Sequence, residues 1–260
     1  LGAEVHGAVT DVFINADGFK KSISAPGPGN YLTMAKAVAS AIQIVGEDSV
    51  RQHSFVHAHG SSTPANRVTE SELLDRIAAT FGIHAWPVTA AKAYVGHSLA
   101  SASADQLVSA LGSFKYQIIP GIKTIDAIAD DVHQQHLRIS TTNTRRDEQP
   151  LEVCFINSKG FGGNNASAVV LAPQVVDRML EKRYGAQRFA DYCALREHTR
   201  AAASRYDQQA QTGQFNILYN FGNDQIDDQQ LQMTAQQIQV PGFRQPLVFS
   251  KDPRFSDMLD

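Results

Sequence analysis

Residues 4–14, Glu-Val-His-Gly-Ala-Val-Thr-Asp-Val-Phe-Ile, are rich in apolar and β-branched positions and read as a strand. Two prolines and two glycines in the stretch Ser24-Ala25-Pro26-Gly27-Pro28-Gly29-Asn30 predict a loop, because neither residue type sits well inside an element. Met34, Ala37, Val38, Ala41 and Val45 then recur at helical spacing, with Asn30 as the expected N-cap and Gly46 as the stop. A short strand over 55–58 leads to a second helix over 69–81, with Leu73, Leu74, Ile77, Ala78 and Phe81 on one face. Trp86 to Thr89 reads as extended, residues 92–97 as a turn, and residues 98–116 as a small-residue helix carrying Leu99, Leu107, Leu111 and Phe114. Residues 118–122 and 137–140 are further strand candidates. Two apolar runs follow, 151–156 and 166–171, joined by the glycine-rich segment 157–165: a β-turn-β unit.

Strand, helix, strand, helix, strand, helix and then a run of strands predicts an α/β fold, a mixed sheet with helices on its faces. After Pro173 the pattern changes. A long, mostly polar helix is expected over 175–211, with apolar positions at Val176, Met179, Leu180, Phe189, Tyr192, Leu195 and Ala202, a break at Gly185 and a stop at Gly213. Residues 215–219 are strand-like, and the glutamine-rich residues 225–239 carry no readable site. The expected division is a domain over 1–172 and a mostly helical appendage over 173–260 with a packing or partner role.

Composition narrows the function classes. With 23 basic and 26 acidic side chains and a net charge of -3, the chain has neither a basic field for nucleic acid nor an acidic tail. No apolar run reaches membrane-spanning length. Cys154 and Cys193 are the two cysteines; both are expected to be buried thiols in a reducing compartment, which places the protein in the cytoplasm. The chain opens Leu-Gly-Ala-Glu, with neither an initiator Met nor a signal peptide, and is expected to begin inside a longer polypeptide.

Three turns carry candidate chemistry. His59 opens His59-Gly60-Ser61-Ser62-Thr63-Pro64 after one short strand, and His97 closes Lys92-Ala93-Tyr94-Val95-Gly96-His97 after another. Functional groups gather at the carboxyl ends of strands in α/β sheets. Two imidazoles converging there can donate hydrogen bonds to an oxyanion or move a proton near neutral pH. In the third turn Gly160, Gly162 and Gly163 surround Phe161, which lets the backbone take positive φ and place the ring and its N–H. Any one histidine of nine is more often structural or solvated than catalytic; the signal lies in the three turns together.

These turns resemble those of the β-ketoacyl-acyl-carrier-protein synthases, the condensing enzymes of the thiolase-like superfamily, whose motifs read His-Gly-Thr-Ser-Thr-Pro, Lys-x-x-x-Gly-His and Asn-Ser-Phe-Gly-Phe-Gly-Gly-Thr-Asn. The match, in order and approximate spacing, covers roughly residues 1–172 and is to the C-terminal half of that family. The resemblance implies a thiolase-like half-fold and a decarboxylative Claisen condensation of malonyl thioester with an acyl group carried on a cysteine. It implies that His59 and His97 bind the malonyl thioester oxygen, and that Lys92 holds the network through Glu70, eleven residues after His59. Ser61 and Thr63 would bind the pantetheine arm; a turn or N-cap role is the plainer reading of both. Phe161 would be a gating aromatic whose N–H helps bind the acyl thioester oxygen. No cofactor or metal is implied, since the substrate rides on the phosphopantetheine of acyl carrier protein. The implied partners are that carrier, an N-terminal half and a second copy in a homodimer.

Four departures stand out. Ser61 replaces the first Thr and keeps its hydroxyl; Arg67 stands where an acidic residue is common. Ala100-Ser101-Ala102-Ser103 replaces Gly-Ala-Ala-Gly, and Lys159 replaces the first Phe of the glycine-rich turn. Neither cysteine has the helix-start context of the family's nucleophile, so this chain is expected to carry the decarboxylation side of the site and no nucleophile, and to be inactive as a fragment. A polyketide-type ketosynthase, a non-catalytic chain-length-factor-like partner and a module built around the Gln-rich appendage are the competing readings.

Overall fold

The computed structural model describes residues 2–18, 25–214, 222 and 225–249. Ser24 of the expected loop and the strand-like stretch 215–219 lie outside them. In chain order the elements of the first part are β1 (Ala8–Ala16), α1 (Pro28–Val45), α2 (Glu47–His53), β2 (Ser54–His57), α3 (Pro64–Phe81), β3 (Trp86–Thr89), α4 (Lys92–Val95), α5 (Ala102–Tyr116), β4 (Ile118–Ile119), β5 (Leu137–Ile139), β6 (Thr144–Arg145), β7 (Val153–Gly160) and β8 (Asn164–Leu171). Helices α6 (Pro173–Tyr184) and α7 (Ala186–Gln211) follow, and then the short strands β9 (Gln232–Met233), β10 (Gln237–Gln239) and β11 (Leu247–Val248).

A six-stranded mixed sheet runs in the order β1-β8-β7-β2-β3-β5. Strands β7, β2, β3 and β5 are parallel, whereas β8 and β1 add on antiparallel. Register is the feature that matters for function. His57 pairs with both Thr89 and Ile156, so β2 and β3 finish at one level beside β7. Ala58 N–H continues the ladder to the Thr89 carbonyl (2.9 Å). Whatever follows β2 and β3 therefore emerges side by side.

Burial of the large apolar side chains fixes that register. Phe55, Trp86, Phe155, Met34 and Leu74 are fully buried, and each burial of this kind contributes on the order of 2–3 kcal/mol. Phe55 meets Phe114 of α5 edge-on (5.9 Å between centroids), which seats α5 against β2. Trp86 buries its ring against Phe155 and satisfies its N–H on Ser54 Oγ (2.8 Å).

Several elements depart from the expected boundaries. Helix α1 starts at Pro28 with Gly27 as its N-cap; Asn30 lies inside the first turn, where it is buried and bonded to Asn157 (2.7 Å). Helix α3 starts at Pro64, so the His-Gly-Ser-Ser-Thr-Pro turn is the entry to a helix. Leu99 sits in one turn of 3-10 helix with φ of 60° and is exposed, so it does not join the buried face of α5. Strand β7 runs on to Gly160 and β8 begins at Asn164, which leaves only Phe161–Gly163 as the turn.

The chain divides into two compact units, Leu1–Ala201 and Ala202–Asp260, whereas the sequence pattern placed the change at residue 172. Val175 of α6 is buried in the core, Arg178 pairs with Glu152 (2.7 Å), and Arg200 forks onto Glu4 (2.6 and 2.8 Å). Those contacts hold α6 and most of α7 in the first unit. Gly185, at φ of 85°, separates the two helices where the sequence pattern put the break. Within the second unit, β9, β10 and β11 form a small antiparallel sheet in the order β11-β10-β9. Among the described residues no helix is long and apolar enough to cross a membrane.

Candidate functional site

The aligned ends of β2 and β3 deliver His59, Lys92 and His97 to one place. His59 is two residues past β2, and Lys92 opens α4, a single helical turn three residues past β3. The rings of His59 and His97 meet edge to face, 5.3 Å between centroids at 80°.

Each ring is oriented by the main chain. Lys159 N–H donates to Nδ1 of His59 (3.2 Å), and Leu99 N–H donates to Nδ1 of His97 (3.0 Å). A neutral imidazole that accepts at Nδ1 carries its proton at Nε2, so both rings offer Nε2–H as their donor. The left-handed backbone at Leu99, costly for a branched side chain, is what turns its N–H onto His97. His59 is 4% exposed, and its pKa is lowered to about 4. Burial is the main cause; Glu70 opposes it, while Lys92, His97 and Lys159 add to it. The ring is accordingly neutral at pH 7.

His59 is also clamped through its own backbone. Its N–H donates to Glu70 Oε1 (2.7 Å), and its carbonyl accepts from Lys92 Nζ (2.6 Å). Glu70, 4% exposed, takes three further donors: Gly60 N–H (3.0 Å), Asn66 Nδ2 (2.9 Å) and Asn157 Nδ2 (2.7 Å). Four donors and no acceptor are the surroundings of a carboxylate. Lys92 is 9% exposed; burial lowers its pKa and the attraction of Glu70 opposes that shift. Lys92 and Glu70 thus act on each other across the His59 peptide rather than through a direct bond.

The remaining expected site residues are placed less closely. Ser61 and Thr63 line the cleft beside the pair, together with Lys92, Gly96 and His97. Phe161 is 80% exposed and stands outside the cleft lining, two residues along the chain from the N–H that orients His59. Gly162 and Gly163 use positive φ (75° and 78°), but Gly160 at φ of -129° is extended and needs no glycine for its conformation. Lys159 is 9% exposed, and its ammonium donates to Asn66 Oδ1 (3.1 Å), turning the Asn66 amide toward Glu70. Cys154 is fully buried in β7, and burial pushes its thiol well above the usual range. Cys193 is half-buried, not buried as expected, and accepts from Arg196 (3.4 Å).

Sequence reasoning missed the polar scaffold behind the rings. Gln106 of α5 is wholly buried and spreads its Nε2 over the carbonyls of His57 (3.2 Å), Ala58 (2.8 Å) and Asn157 (3.2 Å), stapling β2 and β7 together. Asn30, Thr33, Asn157 and Ser167 form a closed network below Glu70. A glutamine or asparagine within an apolar stripe was the available signal.

A cleft of about 690 Å³ extends away from His97 and Lys92. Residues 121–136 strap over it, tied to α3 at three consecutive turns. Arg67 forks onto Asp131 (2.7 and 2.9 Å), Ser71 Oγ accepts from His133 N–H (3.1 Å), and Asp75 accepts from His136 N–H (2.6 Å).

Residues 6–127 match the family described as beta-ketoacyl synthase, C-terminal domain. Over all 260 residues the chain is 72% identical to the beta-ketoacyl-(acyl-carrier-protein) synthase FabY of Pseudomonas aeruginosa, spanning 41% of that protein. Against 3-oxoacyl-(acyl-carrier-protein) synthase 2 of Vibrio cholerae the identity is 28% over 170 residues, 65% of this chain and 39% of the relative. The crystal structure of the noncanonical ketosynthase FabY from P. aeruginosa superposes with a TM-score of 0.87 over 100% of this chain and 40% of that one, at 72% identity. An oxazolomycin ketosynthase domain from Streptomyces albus shares the fold at a TM-score of 0.57, with 19% identity over 66% of this chain and 31% of that one. The chain therefore spans about two-fifths of the length of these two curated synthases.

Proposed function

The chain belongs to the β-ketoacyl synthase family of the thiolase-like fold, and from that premise we propose that it supplies the decarboxylation side of a condensing enzyme acting in fatty-acid synthesis. In this reading a malonyl thioester on acyl carrier protein enters the cleft with its pantetheine arm along Ser61 and Thr63. Its thioester oxygen lies between the Nε2–H groups of His59 and His97. The bond to the terminal carboxyl breaks, CO2 leaves, and the electron pair becomes an enolate whose charge sits on that oxygen. The enolate carbon then attacks the carbonyl of an acyl thioester and expels a cysteine thiolate.

One observation carries the proposal: two imidazoles with ring centroids 5.3 Å apart, each accepting a backbone N–H at Nδ1. Donors fixed before the reaction stabilise charge that develops only in the transition state, and loss of one such donor costs about 10²–10³-fold in rate. Lys92 and Glu70 serve as positioning residues that hold His59 through its backbone. Phe161, on the turn after β7, is assigned the gating role and the second oxygen-binding N–H. The cysteine nucleophile is assigned to polypeptide outside this sequence, because neither Cys154, raised far from thiolate formation, nor Cys193 has the surroundings of one. An N-terminal half, acyl carrier protein and a second copy are the proposed partners, and the cytoplasm the proposed setting. No cofactor is required. The same chemistry would serve a polyketide-type ketosynthase, whereas a non-catalytic partner has no use for His59, Lys92 and His97 together.

The test is substitution of His97 by Ala and His59 by Asn in the full-length protein, with CO2 release from malonyl-pantetheine and acyl transfer to the protein measured separately. Decarboxylation falling at least a hundredfold while acyl transfer persists is the expected result. Unchanged CO2 release would overturn the reading.

A further inference from the structure

Lys159 lies on β7 at 9% exposure, beside a small hollow that it shares with Asp17, Tyr31 and Asn165, and it is absent from the walls of the cleft that holds His97. An ammonium withdrawn from water is costly unless fixed acceptors meet it. Here the bonds of one residue close a ring. Its main-chain N–H reaches His59 Nδ1 (3.2 Å), the N–H of His59 reaches Glu70 Oε1 (2.7 Å), Glu70 Oε2 accepts from Asn66 Nδ2 (2.9 Å), and Asn66 Oδ1 accepts from Lys159 Nζ (3.1 Å). An ammonium donates and never accepts, so it takes the amide oxygen of Asn66 and leaves the amide nitrogen for the carboxylate. Glu70 thus stands between two lysines, each one amide away: Lys92 across the His59 peptide and Lys159 across the Asn66 side chain.

The groups that face the His59 ring are Glu70 of α3, Lys92 of α4, His97 just beyond α4 and Lys159 of β7. Burial above all, and then Lys92, His97 and Lys159, keeps a proton off the ring against the pull of Glu70. A proton on Nδ1 would also set two donors against each other, because the Lys159 N–H already points there.

We propose that Lys159 is a positioning residue for the histidine pair: its amide orients the His59 ring, and its ammonium, acting through Asn66 and Glu70, fixes the turn that carries the ring and keeps Nδ1 open to that amide. The consequence for CO2 release rests on the function proposed above; the consequence for the ring itself does not.

The experiment uses the full-length protein with Lys159→Met, Lys159→Arg, Asn66→Ala and the double variant of Lys159→Met with Asn66→Ala. CO2 release from malonyl-pantetheine is measured well above the titration of His59, with acyl transfer as the check on folding. The His59 ring is titrated by NMR of isotope-labelled histidine, its signal assigned by its loss in His59→Asn. In Lys159→Met the kcat is expected to fall about tenfold, less than the about 10²–10³-fold for losing a donor outright, with KM unchanged because Lys159 stands outside the cleft walls. Its His59 is expected to titrate at higher pH than in the native protein. Lys159→Arg restores the charge and is expected to recover most of both. The double variant is expected to be no slower than Asn66→Ala alone. Should Lys159→Met fail to fold, Lys159→Gln carries the same expectations. Native kcat in the uncharged variant, losses that multiply in the double variant, or an unmoved His59 titration would each overturn the proposal. If CO2 release ignores the histidines themselves, the decarboxylation reading fails, and the His59 titration still decides the assignment of Lys159.

Discussion

His57 offers the sharpest test of the packing behind the site. The residue ends β2, is fully buried, packs its ring edge-on to Phe55 (5.6 Å), and finds no hydrogen-bond partner for either nitrogen among the described residues. Burial, with a contribution from the Lys92 charge, lowers its pKa to about 3. The unfolded chain holds the same imidazole near its ordinary value of about 6.5. Between those two values the unfolded state binds a proton that the native state refuses, so stability falls as pH falls below about 6.5 and keeps falling toward pH 3. Integrating the linkage relation from pH 7.5 to pH 5 gives a loss of about 2 kcal/mol from this residue alone. Replacing His57 by Phe or Leu removes the term, whatever the substitution does to packing. The assay is urea unfolding at both pH values, followed by the fluorescence of Trp86, the single tryptophan, which lies in the neighbouring strand. The difference in stability between variant and native protein should shift by about 2 kcal/mol in favour of the variant on going to pH 5. An unchanged difference would refute the claim that His57 stays neutral in the fold.

Two further substitutions probe the geometry around the histidine pair. Gly60→Ala forces φ of 58° on a residue with a Cβ, which would lie 2.7 Å from the Ala90 Cβ; a loss of about 2 kcal/mol or more is expected in urea unfolding, and a neutral result would contradict the close approach of the two strand ends. Glu70→Gln keeps the volume but can no longer accept from all four donors, since its amide nitrogen faces two N–H groups whichever oxygen it replaces; a destabilisation of about 2–4 kcal/mol is expected by the same assay, and a change under about 0.5 kcal/mol would mean that Glu70 does not organise the His59 turn.

Apolar runs and helical periodicity in the sequence locate the sheet strands β1, β2, β3, β5, β7 and β8 and the helices α1, α3 and α5, because the helices bury one face in the common core and the central strands β2 and β7 are buried almost throughout. His59 and His97 were legible as a pair because they follow strands at similar points, and parallel register then brings them together. Three things were not legible. Asn30 reads as a helix cap by type, yet tertiary contact with Asn157 overrides local capping and draws it into the helix. The tie of Lys92 to Glu70 looks in sequence like an ion pair, and only the folded turn shows the His59 peptide lying between them. Residues 121–136 form neither helix nor strand, so neither their path over the cleft nor the partnership of Arg67 with Asp131, 64 positions apart, could be read from spacing. The change of unit inside α7, not at Pro173, rests on long-range pairs such as Arg200 with Glu4, equally invisible in local pattern.

The hydrogen bond that orients His59 takes from position 159 only an amide hydrogen. Every residue but proline can supply one, so that bond leaves the side chain at 159 open to a second task, as the lysine's hold on Asn66 illustrates. A motif whose working part is the peptide unit can drift in spelling while its geometry stays fixed.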